Sequence, residues 1–331
     1  MKDTLLTELE QELQAIPQGK IMIKNNTNQL GECMQLSNHC TGQCDGRGKI
    51  EFFSIYPGIK VYSSKYLATK LKDHHDPMTT VLQITHCHYG RMGWDMGNGT
   101  NIYLGPGDLS LHMMDTCAKS VMNFPLGYYE GLSISIDLNT FTKNPPEILR
   151  DAKIDGTSLY QKFCKSSKFT AMPANNKIEH IFSELYDLPS QMQLPYFKLK
   201  VQELLLFLDL VQPECEKSLT PYLSEQVEII QKIHTKLTTH PECRYTIEEL
   251  SKQYLINTST LKDTFKTVYG MPIATYMKNY RIKMAAQMLR ETNDSIAVIA
   301  SAVGYENQSK FASAFKDVYQ ILPTAYRKQS K

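Results

Sequence analysis

The segment GYENQSKFASAFKDVYQILPTAYR, residues 304–327, decides the fold of the C-terminal part, because an earlier segment has the same pattern. That earlier segment is LKDTFKTVYGMPIATYMK, residues 261–278. A shift of 50 residues superposes Leu261, Phe265, Lys266, Val268 and Tyr269 on Phe311, Phe315, Lys316, Val318 and Tyr319. A shift of 49 superposes the apolar positions of residues 246–254 on those of residues 295–303. The one-residue difference falls in a turn, where an insertion costs least. The chain therefore carries one helical element twice.

The first copy has the local signals of two short helices. Thr246 and Glu249 form a capping-box pair, and the apolar residues that follow have the spacing of one helical face. After the turn LINT, Thr258 or Ser259 is expected to cap a second helix. Gly270 is expected to end that helix. Two short helices joined by a turn of about four residues form a helix-turn-helix unit.

The second copy repeats this layout. The helix SIAVIASAV is expected to end at Gly304, which suits a turn with positive φ, and a second helix follows over residues 308–319. A long helix over residues 273–291 is predicted to connect the two copies. Its buried stripe is predicted to consist of Ile273, Met277, Tyr280, Met284 and Met288.

These residues make residues 225–328 similar to the DNA-binding domain of the AraC/XylS family of bacterial transcription regulators. In the first half the resemblance rests on Leu250, Ser251, Leu261, Phe265, Lys266, Gly270, Tyr276, Arg281, Ile282, Ala285, Met288 and Leu289. In the second half it rests on Ile299, Ala300, Val303, Gly304, Tyr305, Ser309, Phe311, Phe315, Lys316, Pro323, Tyr326 and Arg327. The resemblance implies seven helices in two subdomains. It also implies two recognition helices ~34 Å apart that read successive major grooves of double-stranded DNA.

The resemblance and the exposed helix positions together nominate DNA-contacting residues. They are Ser259, Lys262, Asp263 and Lys266 in the first unit and Gln308, Ser309, Lys310, Ser313 and Lys316 in the second. Lys262 can donate to guanine, Asp263 can accept from cytosine N4, and Gln308 can pair with adenine. Lys266 and Lys316 are candidates for phosphate contacts. Arg281 and Arg327 are candidates for the same role, or for bracing neighbouring helices.

The second unit departs from the family pattern at three positions. Family members often have basic residues where this chain has Ser313 and Asp317, and glycine where it has Gln320. The second unit is therefore less cationic, and we expect it to bind DNA weakly or mainly by shape.

Charge is distributed unevenly along the chain, although the net charge of the 331 residues is only +2. Residues 221–331 hold 15 Lys and Arg against 10 Asp and Glu, a net charge of +5, which leaves −3 for residues 1–220. A basic C-terminal part agrees with DNA binding there.

The N-terminal part reads as a β-rich domain. Residues 4–16 form an amphipathic helix pattern, and short strand-like runs such as VLQITHCHYG and GLSISIDL follow between turn signals from about residue 50 to 140. Helices are predicted over residues 176–186 and 195–211. The predicted fold is thus α+β, a β-rich cupin-like barrel with linker helices followed by an all-α tandem helix-turn-helix domain. The predicted domains are residues 1–145, 146–215 and 221–331.

The leucine-rich stretch LKVQELLLFLDLV has two interpretations. It caps the barrel, or it forms the seam of a homodimer, and both can hold at once.

The resemblance implies that the β-rich domain binds an unidentified small-molecule effector. The turn from Leu104 to Asp108 resembles one found in such barrels, and Tyr89, Trp94 and Tyr103 either line an effector pocket or pack. The family also implies RNA polymerase as a partner, as for an activator, although the sequence does not decide between activation and repression.

Metal and redox alternatives rest on few residues. Cys33, His39, Cys40 and Cys44 fit no zinc-site spacing, and His86 and His88 share an H-x-H motif with no carboxylate before Asp95. Cys87 or Cys117 could act as a redox-sensing thiol. We expect no metal or cofactor, and the absence of a nucleophile–base–acid set predicts a protein that is not an enzyme.

The first residues, MKDTLLTELEQELQAIP, lack the features of a signal peptide, and no apolar run is long enough to span a membrane, which predicts a cytoplasmic protein. The predicted function is that of a ligand-responsive, homodimeric transcription regulator. The alternatives are a constitutive DNA-binding regulator with an assembly-only barrel, and a metal-sensing or redox-sensing regulator.

Overall fold

A computed structural model of the chain describes residues 2–26, 33–37, 44–74, 77–95, 99–117, 119–165, 169–213 and 218–329. The chain divides into two compact units, Met1–Pro221 and Tyr222–Lys331. Within the described ranges, no helix combines the length and the apolarity that a membrane span requires.

The first unit contains two β-sheets. Their strands are β1 (Lys20–Asn25), β2 (Cys33–Ser37), β3 (Arg47–Tyr56), β4 (Ile59–Leu67), β5 (Lys70–His74), β6 (Val81–Gly90), β7 (Met92–Asp95), β8 (Thr100–Leu104), β9 (Leu109–Met113), β10 (Lys119–Asn123), β11 (Tyr129–Asp137) and β12 (Phe169–Met172). The large sheet has the order β12-β9-β6-β11-β4-β3-β1-β2, and the small sheet places β8, β7, β10 and β5 side by side. Among the described residues neither sheet closes on itself, so the two form layers of a sandwich and not a closed barrel.

Helices cover one face of the large sheet. They are α1 (Lys2–Leu13), α2 (Leu138–Lys143), α3 (Glu147–Asp151), α4 (Gly156–Phe163), α5 (Asn176–Phe182) and α6 (Ser190–Leu210), with 3₁₀ turns at Met114–Cys117 and Ser183–Leu185. Strand residues such as Leu82, Ile84 and Ile134 share a hydrophobic core with α6 residues such as Leu204 and Leu208. Burying these aliphatic side chains is the main stabilising contribution to this layer.

The opposite face of the large sheet packs in part against the small sheet. Tyr66, Cys87 and Tyr129 of the large sheet share a second core with Trp94 and Leu104 of the small sheet. The unit is therefore a three-layer arrangement of helices, large sheet and small sheet. The predicted α+β class is confirmed.

Three helix predictions for this unit need correction. The N-terminal helix ends at Leu13, so that Ile16 is buried beyond the helix. The helix predicted over residues 176–186 ends as an α-helix at Phe182 and continues as a 3₁₀ turn. The leucine-rich helix begins at Ser190, five residues before Pro195. Pro195 therefore lies in the second turn of α6, where it cannot donate to the carbonyl oxygen of Gln191 and its ring crowds that carbonyl.

The second unit is helical apart from a two-residue strand, β13 (Tyr222–Leu223). Its helices are α7 (Ser224–Thr239), α8 (Ile247–Tyr254), α9 (Thr258–Tyr269), α10 (Ile273–Glu291), α11 (Ile296–Ala302), α12 (Gln308–Tyr319) and α13 (Pro323–Gln329). Both helix-turn-helix units and the connector α10 lie where the repeat predicted them.

The buried stripe of α10 differs from the prediction. Ile273 and Met277 are buried, but the stripe continues through Ile282, Ala285, Ala286 and Leu289. Tyr280, Met284 and Met288 are only half-buried. Small alanine side chains allow close packing of α10 against α11 and α12, and this contribution to the core is difficult to read from hydrophobicity alone.

Candidate nucleic-acid interface

Helix α9, the first predicted recognition helix, has one face fixed in the core. Leu261, Thr264, Phe265 and Val268 are buried. The helix begins after Asn257, whose side chain accepts a hydrogen bond from the backbone N–H of Ser259 at 2.8 Å. The prediction that Thr258 or Ser259 caps this helix was wrong, because asparagine one residue earlier supplies the capping oxygen. The side chain of Ser259 therefore does not cap the helix.

The predicted DNA-contacting residues of α9 lie on its opposite face. Ser259, Lys262, Asp263 and Lys266 are all exposed. The hydroxyl of Ser259 and the carboxylate of Asp263 lie 3.5 Å apart, one turn from each other. The face therefore presents two ammonium groups, a carboxylate and a hydroxyl, which include donors and an acceptor for base edges in the major groove.

Helix α12, the second predicted recognition helix, repeats this arrangement. Asn307 caps it by accepting from the backbone N–H groups of Ser309 and Lys310. Phe311 and Phe315 are buried. The remaining predicted residues are exposed, namely Gln308, Ser309, Lys310, Ser313 and Lys316. The capping asparagines at the same position in both units form a signal in the repeat that the sequence analysis missed.

The second unit also contains an internal ion pair that involves one of its departures from the family pattern. Lys278 of the connector α10 contacts Asp317 of α12 at 2.8 Å. Both side chains are well exposed, so that the pair adds little stability, but Asp317 offsets the charge of Lys278 at this surface. The Lys278–Asp317 pair thus adds no net charge to this surface.

Of the two roles predicted for Arg281, phosphate contact or bracing of neighbouring helices, its hydrogen bonds agree with bracing. Its Nε donates to the carbonyl oxygen of Pro241 at 2.6 Å, and its Nη2 donates to the carbonyl oxygen of Cys243 at 2.8 Å. These bonds hold the loop between α7 and α8 against the connector helix. For Arg327, Nε and Nη2 are buried and have no hydrogen-bond partner within the described ranges.

The same loop touches the turn of the second helix-turn-helix unit. Gly304 has a φ of 79°. A Cβ at this position would lie 2.8 Å from the carbonyl oxygen of Glu242, so the close approach requires glycine. Arg244 also donates to the carbonyl oxygen of Gly304 at 3.3 Å. The loop therefore contacts the connector helix α10 and the turn of the second helix-turn-helix unit, and it leads directly into α8 of the first.

An aromatic cluster packs against the first helix-turn-helix unit on the side away from its exposed face. His234 of α7 stacks on Tyr269 with a centroid distance of 4.3 Å, and its Nε2 lies 2.7 Å from the hydroxyl of Tyr276. Burial lowers the pKa of His234 to about 4, so that the ring is neutral at pH 7. A neutral ring stacks here at no cost in desolvated charge.

Only some of the residues considered as metal ligands belong to the part of the chain that the structure describes. His39 and Cys40 are outside it, and the side chain of Cys33 is also undescribed. His86 binds the hydroxyl of Tyr186 at 2.7 Å through Nδ1, and His88 stacks on the ring of Tyr186 at 3.8 Å. Across the described ranges, no three His, Cys, Asp or Glu side chains come together as metal ligands would.

The redox alternative concerns Cys87 and Cys117. Cys87 is fully buried, and this burial raises the pKa of its thiol, which disfavours the reactive thiolate. The side chain of Cys117 lies outside the described residues.

The aromatic residues considered for an effector pocket are all buried. Tyr89, Trp94 and Tyr103 are 7%, 6% and 2% exposed, respectively. Trp94 packs edge-on against His112 with a centroid distance of 5.5 Å. Asp108, at the end of the predicted barrel turn, accepts from the backbone N–H groups of Gly105 and Ala174, which explains its presence structurally.

Comparison with known proteins matches residues 250–329 to the HTH_18 family of helix-turn-helix domains. An AraC-like transcription regulator of Streptomyces lividans is 37% identical over 94 residues, which cover 28% of this chain and 31% of that protein. The regulator AlkR of Acinetobacter baylyi is 31% identical over 91 residues, which cover 28% of this chain and 30% of AlkR.

Among solved structures, the C-terminal domain of the response regulator yesN from Fusobacterium nucleatum is 31% identical with a TM-score of 0.28. The aligned region covers 30% of this chain and 96% of that domain. The chain thus matches about a third of the length of these two curated relatives, and the matched part is the second unit. The predicted resemblance is confirmed for that unit.

Proposed function

Residues 250–329 of this chain are an AraC-type helix-turn-helix domain, and on that premise we propose that the protein is a transcription regulator that binds double-stranded DNA. The observation that carries this proposal is the repeated polar face. Helices α9 and α12 each bury their aromatic side while exposing short polar residues and lysines at corresponding positions. Such a face is what a recognition helix presents to base edges.

The two recognition helices read successive major grooves in this proposal. Connector α10 is 19 residues long, and a helix of that length rises about 28 Å at 1.5 Å per residue. A rigid element of this size holds two readers at a fixed separation. We assign base contacts to Ser259, Lys262 and Asp263 in the first unit and to Gln308 in the second.

The two helix-turn-helix units contribute unequally in this proposal. Each recognition helix exposes two lysines and one aspartate, namely Lys262, Lys266 and Asp263 on α9 and Lys310, Lys316 and Asp317 on α12. The second helix has Ser313 and Asp317 where family members often carry basic residues, so we assign to it fewer phosphate contacts and the smaller share of the binding free energy.

The test is binding to a target selected from random-sequence duplexes, measured for the full chain at fixed salt. Lys262→Ala is expected to weaken specific binding at least tenfold and to relax preference at one base pair, because a base-edge donor is lost. The control is Lys252→Ala, which removes an exposed lysine from α8 and should bind like wild type. Equal binding by both variants would reject the assignment of Lys262.

We assign effector sensing to the N-terminal unit, Met1–Pro221, and homodimer formation to the exposed side of α6. Dimerisation brings two readers to paired sites, and an effector would shift the population of dimers able to engage both. RNA polymerase is the partner through which bound regulator would act on transcription. The second candidate is a constitutive regulator, and it is distinguished by DNA binding that no small molecule changes.

A further inference from the structure

The loop between α7 and α8, residues 240–246, contacts both helix-turn-helix units. At its end it leads into α8, which begins after the capping residue Thr246. Beside it lies the turn of the second unit, because a Cβ at Gly304 would be 2.8 Å from the carbonyl oxygen of Glu242. Gly304 in turn comes three residues before Asn307, the cap of α12. The loop is therefore held between α8 of the first unit and the start of the second recognition helix.

Arg244 is an exposed basic residue of this loop. Its Nη2 donates to the carbonyl oxygen of Gly304 at 3.3 Å, which places the guanidinium beside the second unit. A guanidinium carries five N–H donors, so most of them remain available to a partner outside the domain. Arg281 differs, since it is half-buried and donates through Nε and Nη2 to carbonyl oxygens of the loop itself. Of the two arginines, Arg244 is therefore the one that can bind another molecule.

The charges around Arg244 favour an anionic partner. Burial lowers the pKa of Arg281, and the positive charge of Arg244 lowers it further. The two guanidinium groups therefore lie close enough to repel each other. Glu242 raises the pKa of Arg281, but less strongly than Arg244 lowers it. A phosphate backbone next to the loop would relieve the repulsion, because it places negative charge beside two positive groups.

The place of Arg244 on a duplex follows from the arrangement proposed for the two recognition helices. The N-terminal residues of a recognition helix contact base edges, so the turn at Gly304 lies at the edge of the major groove that α12 occupies. Thr246, two residues after Arg244, precedes the helix that crosses the DNA backbone in the first unit. On one face of a duplex, two successive major grooves are separated by one minor groove, about 6 Å wide. A residue held between the two units therefore faces that minor groove.

We propose that Arg244 inserts into the minor groove between the two major grooves and makes the protein prefer A·T pairs there. The minor groove of A·T runs is narrow, and its enhanced negative potential attracts arginine. In G·C pairs the N2 amino group of guanine projects into the same groove. This inference rests on the proposed function and goes beyond it, since it places a specificity-determining residue outside both recognition helices.

The experiment measures binding of the full chain to a duplex selected from random sequence, at fixed salt. Hydroxyl-radical footprinting locates the spacer between the two blocks of base contacts, and three duplexes then carry A·T, G·C or inosine·C pairs in that spacer. Inosine lacks the N2 amino group, so inosine·C keeps the major-groove pattern of G·C and has a minor groove like that of A·T. Wild type is expected to bind the A·T and inosine·C duplexes about fivefold more tightly than the G·C duplex.

Arg244→Ala is expected to bind all three duplexes within about twofold of one another, because the group that reads the spacer is lost. The control is Arg290→Ala, which removes an exposed arginine from the end of α10 and should keep the wild-type preference. Circular dichroism melts establish that both variants fold. If Arg244 only braced Gly304, its loss would weaken binding to all three duplexes equally and leave the preference intact.

That result would overturn the inference, as would a wild type without spacer preference or a preference for A·T that inosine·C does not share. Equal loss of the preference in Arg244→Ala and Arg290→Ala would overturn it as well. In each of these cases a selected target leaves the proposed function in place. Failure to select any duplex would overturn the proposed function and this inference with it.

Discussion

At the residue scale, each helix-turn-helix copy has glycine at only one of two positions with a left-handed backbone, and the two copies differ in which position that is. In the turn, Leu255 of the first copy has a φ of 52° where the second copy has Gly304. At the end of the recognition helix, Gln320 of the second copy has a φ of 60° where the first has Gly270. The repeat thus fixes a left-handed backbone at both positions in both copies, but only one residue of each pair is free of a Cβ penalty.

Gln320→Gly is expected to stabilise the second unit by about 0.5–1 kcal/mol. The relief of the left-handed strain exceeds the entropy that glycine adds to the unfolded chain and the loss of one exposed hydrogen bond from Gln320 to Asp317. The measurement is urea unfolding of the full chain followed by circular dichroism at 222 nm. The reverse change, Gly270→Gln, should destabilise by about 1–2 kcal/mol. Opposite signs would contradict this account of the two caps.

At the element scale, the loop between α7 and α8 sets how the two recognition helices are held. Arg281 binds the carbonyl oxygens of Pro241 and Cys243, and the loop packs on Gly304. Arg281 is a positioning residue in this arrangement, since its hydrogen bonds are made within the domain.

Arg281→Ala is expected to relax spacing specificity. Wild type should lose at least tenfold in affinity when two base pairs are inserted between the half-sites of a selected target, because the inserted pairs rotate one groove away. The variant should lose less, while its affinity for a single half-site stays within about twofold. The control is Arg290→Ala, which changes an exposed arginine on the same helix. An equal loss on single and paired half-sites would indicate a general folding defect.

The pairing of Lys278 with Asp317 belongs to the same scale. It explains in structural terms why an acidic residue is accommodated on α12, because a lysine of the connector lies 2.8 Å away. The sequence showed the departure from the family pattern, but it could not show the partner, which is 39 residues away along the chain.

At the scale of the whole molecule, helix α6 has two distinct sides. Phe197, Val201, Leu204 and Leu208 are buried in the core of the first unit. Met192, Leu199 and Leu210 are 40%, 58% and 80% exposed. At 100° per residue these three lie within about 20° of one another on the opposite side. The helix therefore packs on the sheet and exposes an apolar stripe on its other side, which is the surface of the proposed homodimer contact.

Leu199→Glu is expected to convert the dimer into a monomer, because it places a charge in the centre of the proposed apolar seam. Sedimentation velocity of the full chain should show twice the 37.8 kDa chain mass for wild type and the single mass for the variant. The control is Ile148→Glu, which changes an apolar residue that is 50% exposed on α3. A wild-type monomer, or dissociation by both variants, would reject α6 as the seam.

The sequence by itself determined the helical unit. Helix periodicity, capping residues and the repeat are local properties, and they located α8 to α12 because neighbouring residues decide where a helix begins and ends. The prediction of exposed lysines and serines on α9 and α12 followed from the same periodicity. The error at Asn257 was also local, because several polar residues competed to cap one helix.

Only the tertiary structure decided which face of each element meets which partner. Alternating strands predicted a β-rich domain, but strand order and register bring Ser133, Thr85 and Ser110 into one row, and these residues lie far apart along the chain. The bracing role of Arg281 and the partner of Lys278 depend on similarly distant contacts. Periodicity reports the environment of a residue within its own element, whereas contacts across elements depend on how the whole chain packs.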